Sequence, residues 1–372
     1  MIRFFDVKAG FAELSELITP RVDAIIANGP YIGGPACSAF EENFASFVGA
    51  DRCVGCGNGL DALALALQAY GIGKGDEVIV PSHTYIATWL AVTANSARVV
   101  PVEPDTRTML IETDDIAAAV TERTRAIIPV HLYGLPVDMP GIERLARKHG
   151  LKIIADAAQA HGAAIEIGNE RQPIGAFGDV ACWSFYPAKN LGAAGDGGAI
   201  TTADNKVAER VRQLSNYGSS IKYHNELRGT NSRLDPVQAA ILDVKLAALE
   251  EWNIRRNAIA NRYFDALDGL DLILPPRISD RHSAWHQFVI RLNNRDAVAR
   301  RLAERGIQTL IHYPVPPHLQ PAYYDHRWKA GAFPIAEHMA DTVLSLPIGP
   351  HMAMDDVDTV CTVLAEILAA DE

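Results

Sequence analysis

A lysine and an aspartate stand near the ends of two apolar segments of this chain. Lys189 lies in residues 184–192 (SFYPAKNLG), and Asp156 ends the apolar run of residues 153–156 (IIAD). A lysine amine can condense with an aldehyde to form a Schiff base, and a carboxylate can pair with a protonated ring nitrogen. Pyridoxal phosphate requires both groups. Alone, Lys189 is more typical of the surface and Asp156 of a turn, so the prediction rests on the pair.

A phosphate-bearing cofactor also needs a site for its anion. Residues 55–61 (GCGNGLD) form a glycine-rich turn before a helical pattern. Free amides and the helix dipole favour an anion there, although a simple capped turn has the same pattern. Ser184 could add a hydroxyl, or it could be an ordinary strand serine. Tyr85 could stack on the cofactor ring, with Trp89 as the rival aromatic residue.

Short apolar runs rich in branched residues alternate with helical patterns, which predicts an α/β fold with a largely parallel sheet. The predicted strands are residues 77–81, 98–102, 126–130, 152–156 and 180–185, and the predicted helices include 60–70, 115–120 and 140–149. Ligands of such sheets lie beyond the carboxyl ends of the strands, where Asp156 is expected.

A long helix is predicted to begin at Pro236, with Asp235 as its N-cap, and to run toward Tyr263. The pattern after it is mixed, with strands at 286–292 and 308–313 and helices at 296–305 and 355–369. We therefore expect a large α/β domain over residues 1–250 that holds the cofactor, and a smaller α+β domain over residues 251–372.

The composition restricts the class of protein. Of the 372 residues, 48% are hydrophobic and 21% are charged, which is typical of a soluble enzyme. The net charge of -11 argues against nucleic acid as the main partner, and no apolar stretch is long enough to span a membrane. Five scattered cysteines predict a reducing cytoplasm. Cys53 and Cys56 form a C-x-x-C pair, but the turn after them favours small core residues over a redox pair.

Together these segments resemble the DegT/StrS family of pyridoxal phosphate-dependent sugar aminotransferases, which have the aspartate aminotransferase fold, fold type I. The resemblance runs from residues 29–35 (GPYIGGP) to residues 344–349 (LSLPIG). Three further stretches match closely: residues 75–85 (GDEVIVPSHTY), 156–162 (DAAQAHG) and 195–199 (GDGGA). One departure is Cys56, in a stretch where many members carry Ser or Thr near the phosphate; the amide cradle does not depend on it.

The resemblance implies roles around the cofactor ring. Lys189 would be the Schiff-base lysine, and Asp156 would pair with the ring nitrogen. Gln159 would bond the phenolic oxygen of the cofactor, and Tyr85 falls where the family stacks an aromatic ring.

The resemblance also implies phosphate ligands and a homodimer. Gly59, Leu60 through its amide, and Ser184 would hold the phosphate. Residues 229–235 (GTNSRLD) match the segment that reaches into the neighbouring subunit of the family's shared active sites. Asn231 would contact the neighbouring phosphate there, and Arg233 is a second candidate.

Residues 185–190 (FYPAKN) and 311–316 (IHYPVP) resemble the subgroup that aminates carbon 3 of dTDP-3-keto-6-deoxyhexoses. The implied reaction moves an amino group from L-glutamate to that carbon. Tyr186, His312 and Tyr313 are expected around the hexose. Because the diphosphate of the sugar nucleotide is anionic and the chain is net acidic, local cations are also expected, and the candidates in one segment are Lys222, Arg228 and Arg233. The three basic residues have a second interpretation as a solvated loop.

Other functions remain open at this point. A 4-keto aminotransferase of the same family is one alternative, although its members more often have another residue at the position of Tyr186. A sugar dehydratase on the same fold would lack Lys189. A regulatory protein that retains the fold would be expected to lose Lys189 or Asp156, or to gain a DNA-binding module.

Overall fold

The structure is a computed structural model that describes residues 1–324 and 327–370. The strands are β1 Arg52–Cys56, β2 Glu77–Pro81, β3 Arg98–Val102, β4 Thr124–Ile127, β5 Lys152–Asp156, β6 Ala164–Ile167, β7 Glu170–Pro173, β8 Val180–Ser184, β9 Gly198–Thr202, β10 Ser219–Ile221, β11 His224–Asn225, β12 Arg281–His282, β13 Phe288–Arg291 and β14 Val343–Leu346. The helices are α1 Val7–Glu13, α2 Ser15–Asn28, α3 Pro35–Val48, α4 Gly59–Ala69, α5 Ala87–Ala94, α6 Thr113–Ala119, α7 Met139–His149, α8 Asn205–Ser215, α9 Pro236–Leu267, α10 Arg295–Glu304, α11 Pro334–Thr342 and α12 Met354–Ala369. Across these described ranges, no helix combines the length and the apolar character that crossing a bilayer requires.

The largest sheet has seven strands in the order β1-β9-β8-β5-β4-β2-β3. β8, β5, β4, β2 and β3 pair in parallel with one another, whereas β9 runs antiparallel to both β8 and β1. This mixed and mostly parallel sheet confirms the predicted α/β fold class. Because parallel strands end at the same edge of a sheet, Asp156 at the end of β5 and Ser184 at the end of β8 lie at one edge, where ligands of such sheets bind.

Apolar side chains cover both faces of this sheet, which explains the near-continuous hydrophobic strands. Phe44 of α3 and Met139 of α7 belong to the cluster on one face. Leu63 of α4 and Trp89 of α5 belong to the cluster on the other. All four are at most 2% exposed, and burying each such side chain contributes about 1.5–3 kcal/mol. Packing on both faces therefore stabilises the sheet and the positions of the residues at the carboxyl ends of its strands.

The helix α9 is 32 residues long, which corresponds to about 48 Å. Pro236 is its first residue, and Asp235 occupies the N-cap position in an extended conformation without a side-chain capping bond. Leu242 packs in a core of the large sheet, whereas Tyr263 packs in a second core with β13, β14, α10 and α12. The expected division at residue 250 falls inside this continuous helix and stays a prediction.

The predicted strand at residues 308–313 is wrong. β14 pairs in register with β13, and on its other side the backbone of Ser345 pairs with Leu310 as an isolated bridge. The backbone then turns away, and the carbonyl of His312 accepts a hydrogen bond from the Tyr133 hydroxyl instead of from a strand. The alternation of apolar residues in this segment is typical of a strand. Its backbone conformation is instead set by contacts of Tyr133 and Tyr313 at the edge of the sheet.

Candidate active site

Lys189 lies in a loop that follows β8 and closes on its own backbone. The Lys189 amide donates to the Tyr186 carbonyl at 2.8 Å, and the Ala193 amide donates to the Phe185 carbonyl at 2.8 Å. These two bonds fix the backbone from which the lysine side chain extends.

Side chains of the helix α9 form hydrogen bonds with the same loop. Nζ of Lys245 donates to the Gly192 carbonyl at 2.5 Å. The Asn190 side-chain amide donates to Oδ1 of Asn253 at 3.1 Å and to the Ala284 carbonyl at 2.7 Å. The loop that carries the lysine is therefore bonded to the long helix and to the segment before β13.

The amine of Lys189 is half-buried, and its pKa is low for a lysine. Burial lowers the pKa to about 8 because the ammonium loses hydration, and the Asp156 carboxylate opposes part of this effect. A useful fraction of the amine is thus neutral near neutral pH. Only the neutral amine can attack an aldehyde.

Asp156 is buried at the end of β5 and is held by two donors. The Thr88 hydroxyl donates to Oδ2 at 2.9 Å, and the Ala158 amide donates to Oδ1 at 3.2 Å. Burial raises the pKa of this carboxyl, whereas both donors and the charge of Lys189 act to lower it. A carboxylate in such a dry position interacts strongly with any cation that reaches it.

Gln159 joins two tyrosines beside Asp156. Its Oε1 accepts from the Tyr133 amide at 2.5 Å, and its Nε2 donates to the Tyr313 hydroxyl at 3.0 Å. The Tyr133 hydroxyl donates to the His312 carbonyl, so Nε2 of the neighbouring His83, 2.9 Å away, must donate to Tyr133. These bonds attach residues 312–313 to the edge of the sheet.

Tyr85 is the aromatic residue that the structure leaves accessible at this edge. Its side chain is 54% exposed, and its ring lies beside that of Tyr313 with centroids 5.3 Å apart. Trp89 is fully buried, and its indole N–H donates to the Pro81 carbonyl at 2.9 Å. Of the two rivals, Trp89 is a core residue and Tyr85 is available to a ligand.

The N-terminus of α4 forms a cradle against Ser184. Gly59 is the first residue of α4, and a Cβ there would lie only 2.7 Å from Cβ of Ser184. The Asn58 side chain accepts from the Asp61 amide at 2.8 Å. The amides of Gly59 and Leu60 precede this bonded amide, so with the helix dipole they offer donors to an anion.

Ser232 attaches the loop before α9 to this cradle. Its hydroxyl donates to Oδ2 of Asp61 at 2.6 Å and accepts from the Gly57 amide at 2.9 Å. Asn231, the preceding residue, is exposed. The loop is thus anchored through Ser232 while Asn231 remains at the surface.

Two of the predicted basic residues, Arg233 and Lys222, contact other side chains of their own chain. Arg233 donates to Oδ1 of Asn216 at 3.3 Å, and its guanidinium lies 5.8 Å from the Tyr217 ring centroid. Lys222 is in the exposed hairpin of β10 and β11, with Nζ 5.1 Å from the Tyr223 ring centroid. Among the described contacts, none joins these two side chains to the Lys189 cluster.

Tyr186 belongs to the lysine loop, and His312 is close enough for the charge of Lys189 to act on it. Nδ1 of His312 is 2.8 Å from Oγ of Ser345, and its ring packs near Phe4 with centroids 5.8 Å apart. Burial and, to a smaller extent, the charge of Lys189 lower the pKa of His312 to about 4, so the imidazole is neutral at neutral pH. Tyr186 is 57% exposed.

Thr88, Tyr133 and Ser232 are among the residues of this arrangement that were not predicted from the sequence. The spacing of Thr84 and Thr88, one helical turn apart after a strand, was an available but weak signal. Cys53 and Cys56 are buried in β1, and burial raises the pKa of both thiols, in agreement with small core residues.

Comparison with known proteins identifies the family. Residues 12–365 match the DegT/DnrJ/EryC1/StrS aminotransferase family. The chain belongs to this family. Members of the DegT/DnrJ/EryC1/StrS family are pyridoxal phosphate-dependent aminotransferases, which confirms the resemblance seen in the sequence motifs.

Three similar proteins illustrate the extent of the match. The dTDP-3-amino-3,4,6-trideoxy-alpha-D-glucose transaminase of Streptomyces venezuelae is 50% identical over 352 residues, which cover 94% of this chain and 92% of that protein. The UDP-N-acetyl-3-dehydro-alpha-D-glucosamine 3-aminotransferase of Acidithiobacillus ferrooxidans is 46% identical, over 99% of this chain and 98% of that protein. The crystal structure of S. venezuelae DesV in complex with a ketimine intermediate has a TM-score of 0.96 at 48% identity, covering 99% of this chain and 98% of that chain.

The residues at the sheet edge fit the cofactor of the DegT/DnrJ/EryC1/StrS family. They provide an amine of lowered pKa, a dry carboxylate, an exposed aromatic ring and a helix N-terminus with room for an anion beside Ser184. Each group matches one part of pyridoxal phosphate: the aldehyde, the ring nitrogen, the ring face and the phosphate. The chain is therefore an aminotransferase whose cofactor is pyridoxal phosphate.

We expect the rate at which the apoprotein links covalently to added pyridoxal phosphate to rise with pH and to level off above about pH 8. The reason is that deprotonation of Lys189 produces the attacking amine. Asp156→Asn should move the midpoint to lower pH, because the Asp156 charge raises the pKa of Lys189. Stopped-flow absorbance over a pH series measures both effects, with Lys189→Ala as the control that forms no link. An unchanged midpoint in Asp156→Asn would contradict the electrostatic coupling.

Proposed function

We propose that this aminotransferase moves an amino group from L-glutamate to the 3-keto carbon of a dTDP-linked 6-deoxyhexose, in the biosynthesis of an amino sugar. The observation that carries the proposal is the Lys189–Asp156 pair at one sheet edge of a chain 50% identical to a transaminase of a dTDP-linked 3-amino sugar. The names of both relatives described above refer to an amino group at carbon 3. This similarity favours a 3-ketone over a 4-ketone.

Lys189 acts as the catalytic base in this proposal. Bound pyridoxal phosphate supplies an electron sink for the carbanion that forms when the amino donor loses its α-proton. Nζ of Lys189 would take this proton from the donor and deliver it to the cofactor carbon that keeps the amino group, and its pKa of about 8 suits both steps near neutral pH.

Asp156, Gln159 and Tyr85 hold the cofactor ring in this proposal. Asp156 would keep a negative charge beside the ring nitrogen, so that the nitrogen retains its proton. Nε2 of Gln159 carries two hydrogens, of which one is donated to Tyr313, so the other would be available to the phenolic oxygen. The accessible ring of Tyr85 would stack on the cofactor ring.

The phosphate would be held at the N-terminus of α4. The amides of Gly59 and Leu60 and the hydroxyl of Ser184 would bind it.

Tyr186, His312 and Tyr313 surround the hexose in this proposal. His312 is neutral, and Ser345 occupies its Nδ1, so Nε2 is the nitrogen that a sugar hydroxyl can use. Tyr313 bonds Gln159 and lies beside Tyr85, which supports a position where the sugar meets the cofactor.

We propose that the enzyme is a homodimer in which each subunit completes the site of the other. Asn231 is exposed at the surface beside the anchored Ser232 and would contact the neighbouring phosphate. Large apolar side chains are exposed on the segments nearby, which is typical of an interface: Tyr31 is 66% exposed, Ile221 is 67% exposed and Tyr223 is 89% exposed. A cleft of about 780 Å³, lined in part by Ile32 and Arg233, offers room for a partner segment.

Local cations are needed because the sugar nucleotide carries a diphosphate and the chain has a net charge of -11. Lys222, Arg228 and Arg233 are our candidates for this contact. Since Lys222 and Arg233 make no described contact with the Lys189 of their own chain, they would reach the site of the partner subunit.

We also propose a cytoplasmic location. All five cysteines are unpaired and buried, which is consistent with a reducing compartment.

A UDP-linked 3-keto sugar with an N-acetyl group is the second candidate substrate. The 46% identity to an enzyme named for such a compound, over 99% of this chain, favours it. The two candidates differ in the nucleotide and in the groups at carbons 2 and 6 of the sugar, so direct comparison of substrates separates them.

We expect the aminated form of the enzyme, prepared with L-glutamate, to react faster with a dTDP-3-keto-6-deoxyhexose than with its 4-keto isomer or with UDP-3-keto-N-acetylglucosamine. The return of the cofactor absorbance, followed in single turnover, measures each rate. Preference for the UDP compound would replace the proposed substrate with the second candidate. Reaction only with the 4-keto isomer would overturn the assignment to carbon 3.

We expect His312→Ala to slow the sugar half-reaction by about tenfold or more while sparing the glutamate half-reaction, because a lost hydrogen bond to substrate costs about 1.5 kcal/mol or more. Separate single-turnover measurements of the two halves test this. His338→Ala, which removes an exposed histidine on α11, is the control. Equal damage to both halves would assign His312 a structural or cofactor role.

We expect Lys189→Ala and Asn231→Ala subunits to restore activity when they are mixed and allowed to exchange. A mixed dimer would contain one site with both side chains intact, provided that Asn231 acts across the interface. Mixing Lys189→Ala with Asp156→Asn is the control, because both residues belong to the same subunit and no intact site can form. Recovery in neither mixture, or full activity of a monomer, would refute the shared site.

A further inference from the structure

Two buried threonines form a chain of hydrogen bonds that ends at Asp156. The hydroxyl of Thr88 lies 2.9 Å from Oδ2 of Asp156, and the hydroxyl of Thr84 lies 2.9 Å from that of Thr88. Thr88 is fully buried and Thr84 is 2% exposed. A carboxylate can only accept, so Thr88 donates its single hydroxyl hydrogen to Asp156, and Thr84 must donate to Thr88. The direction of both bonds is thereby fixed.

The same short segment carries the accessible aromatic ring of the site. Thr84 and Thr88 flank Tyr85 at the beginning of α5, and the Thr88 amide donates to the Tyr85 carbonyl at 3.2 Å. One turn of backbone therefore supports both the ring of Tyr85 and the carboxylate of Asp156.

We infer that Thr88 is a positioning residue for the aminotransferase reaction: its hydroxyl, oriented by Thr84, fixes Oδ2 of Asp156 and keeps this carboxylate ionised as the partner of the ring nitrogen. This inference rests on the proposed role of Asp156 but not on the identity of the sugar.

The charge state of Asp156 depends on few neighbours. Burial raises its pKa, while Thr88, the Ala158 amide and Lys189 lower it. The other titratable groups that interact with it are Cys182 and Tyr313, and burial raises the pKa of each, so both are neutral. Thr88 is therefore the side-chain donor that can be removed without a change of net charge.

Loss of the Thr88 hydroxyl should change how the proton is shared between Asp156 and the ring nitrogen of the cofactor. A carboxylate that accepts one hydrogen bond fewer is a stronger base. Asp156 would then draw the proton away from the ring nitrogen of the bound cofactor, and the ring would become a weaker electron sink. The effect passes through Asp156, since Thr88 itself lies behind that carboxylate.

Thr88→Val in the holoenzyme tests this inference, because valine keeps the shape of threonine and lacks the hydroxyl. Thr88→Ser restores a hydroxyl, and Thr93→Val removes a hydroxyl elsewhere on α5 as the matched control. The first readout is the NMR signal of an isotopically labelled ring nitrogen. The second is the single-turnover rate with L-glutamate, and thermal unfolding monitors folding.

We expect Thr88→Val to shift the nitrogen signal toward the unprotonated position and to slow the glutamate half-reaction by about ten- to a hundredfold, the value of one hydrogen bond to a charged group. Thr88→Ser should recover both, and Thr93→Val should match the wild type. A nitrogen signal unchanged in Thr88→Val would overturn the inference, as would equal losses in Thr88→Val and Thr88→Ser. Failure of the proposed function looks different: the wild-type enzyme would then react with glutamate but with none of the keto-sugars, and the Thr88 comparison would still stand.

Discussion

The proposed chemistry of Lys189 depends on the bonds between its loop and α9. A lysine that must meet both a cofactor and a substrate proton tolerates little displacement, since small errors in geometry cost large factors in rate. The Lys245 amine, bonded to the Gly192 carbonyl, lies 4.0 Å from the Phe11 ring centroid and is buried enough that its pKa falls to about 8. If this bond broke, the buried amine would lose its acceptor, which costs free energy, so the bond fixes the loop to the longest helix of the fold.

The parallel sheet brings together groups that are far apart in the sequence. Asp156 ends β5, Ser184 ends β8, and Gly59 begins the helix that packs beside them. Each group lies at a point where an element begins or ends. At such points backbone donors are unused and side chains leave the core. The fold thus brings these groups to one edge of the sheet, which is the edge that we propose for the cofactor.

The sequence predicted those parts of the site that have a local signature. Asp156 follows an apolar strand and Gly59 opens a helix, so the pattern around each residue indicates its place. Thr88 and Ser232 act on residues 68 and 171 positions away, and nothing in their own surroundings reveals the contact. The segment 308–313 was misassigned for the same reason, because its course depends on a bond from Tyr133. Residue type alone could not show whether Tyr85 or Trp89 is available to a ligand, whereas the burial of Trp89 in the structure does.

The continuity of α9 has a consequence for how the enzyme distinguishes its substrates. The helix contains no glycine, and its only proline is the first residue, so it has no built-in hinge where it passes from one core to the other. Bending it would break several backbone hydrogen bonds at once. We therefore expect the substrate site to be largely preformed, without closure of one part of the chain onto the other around each ligand. Selectivity for a substrate would then arise from its fit to a rigid site. A new specificity would require the exchange of individual side chains that line this site.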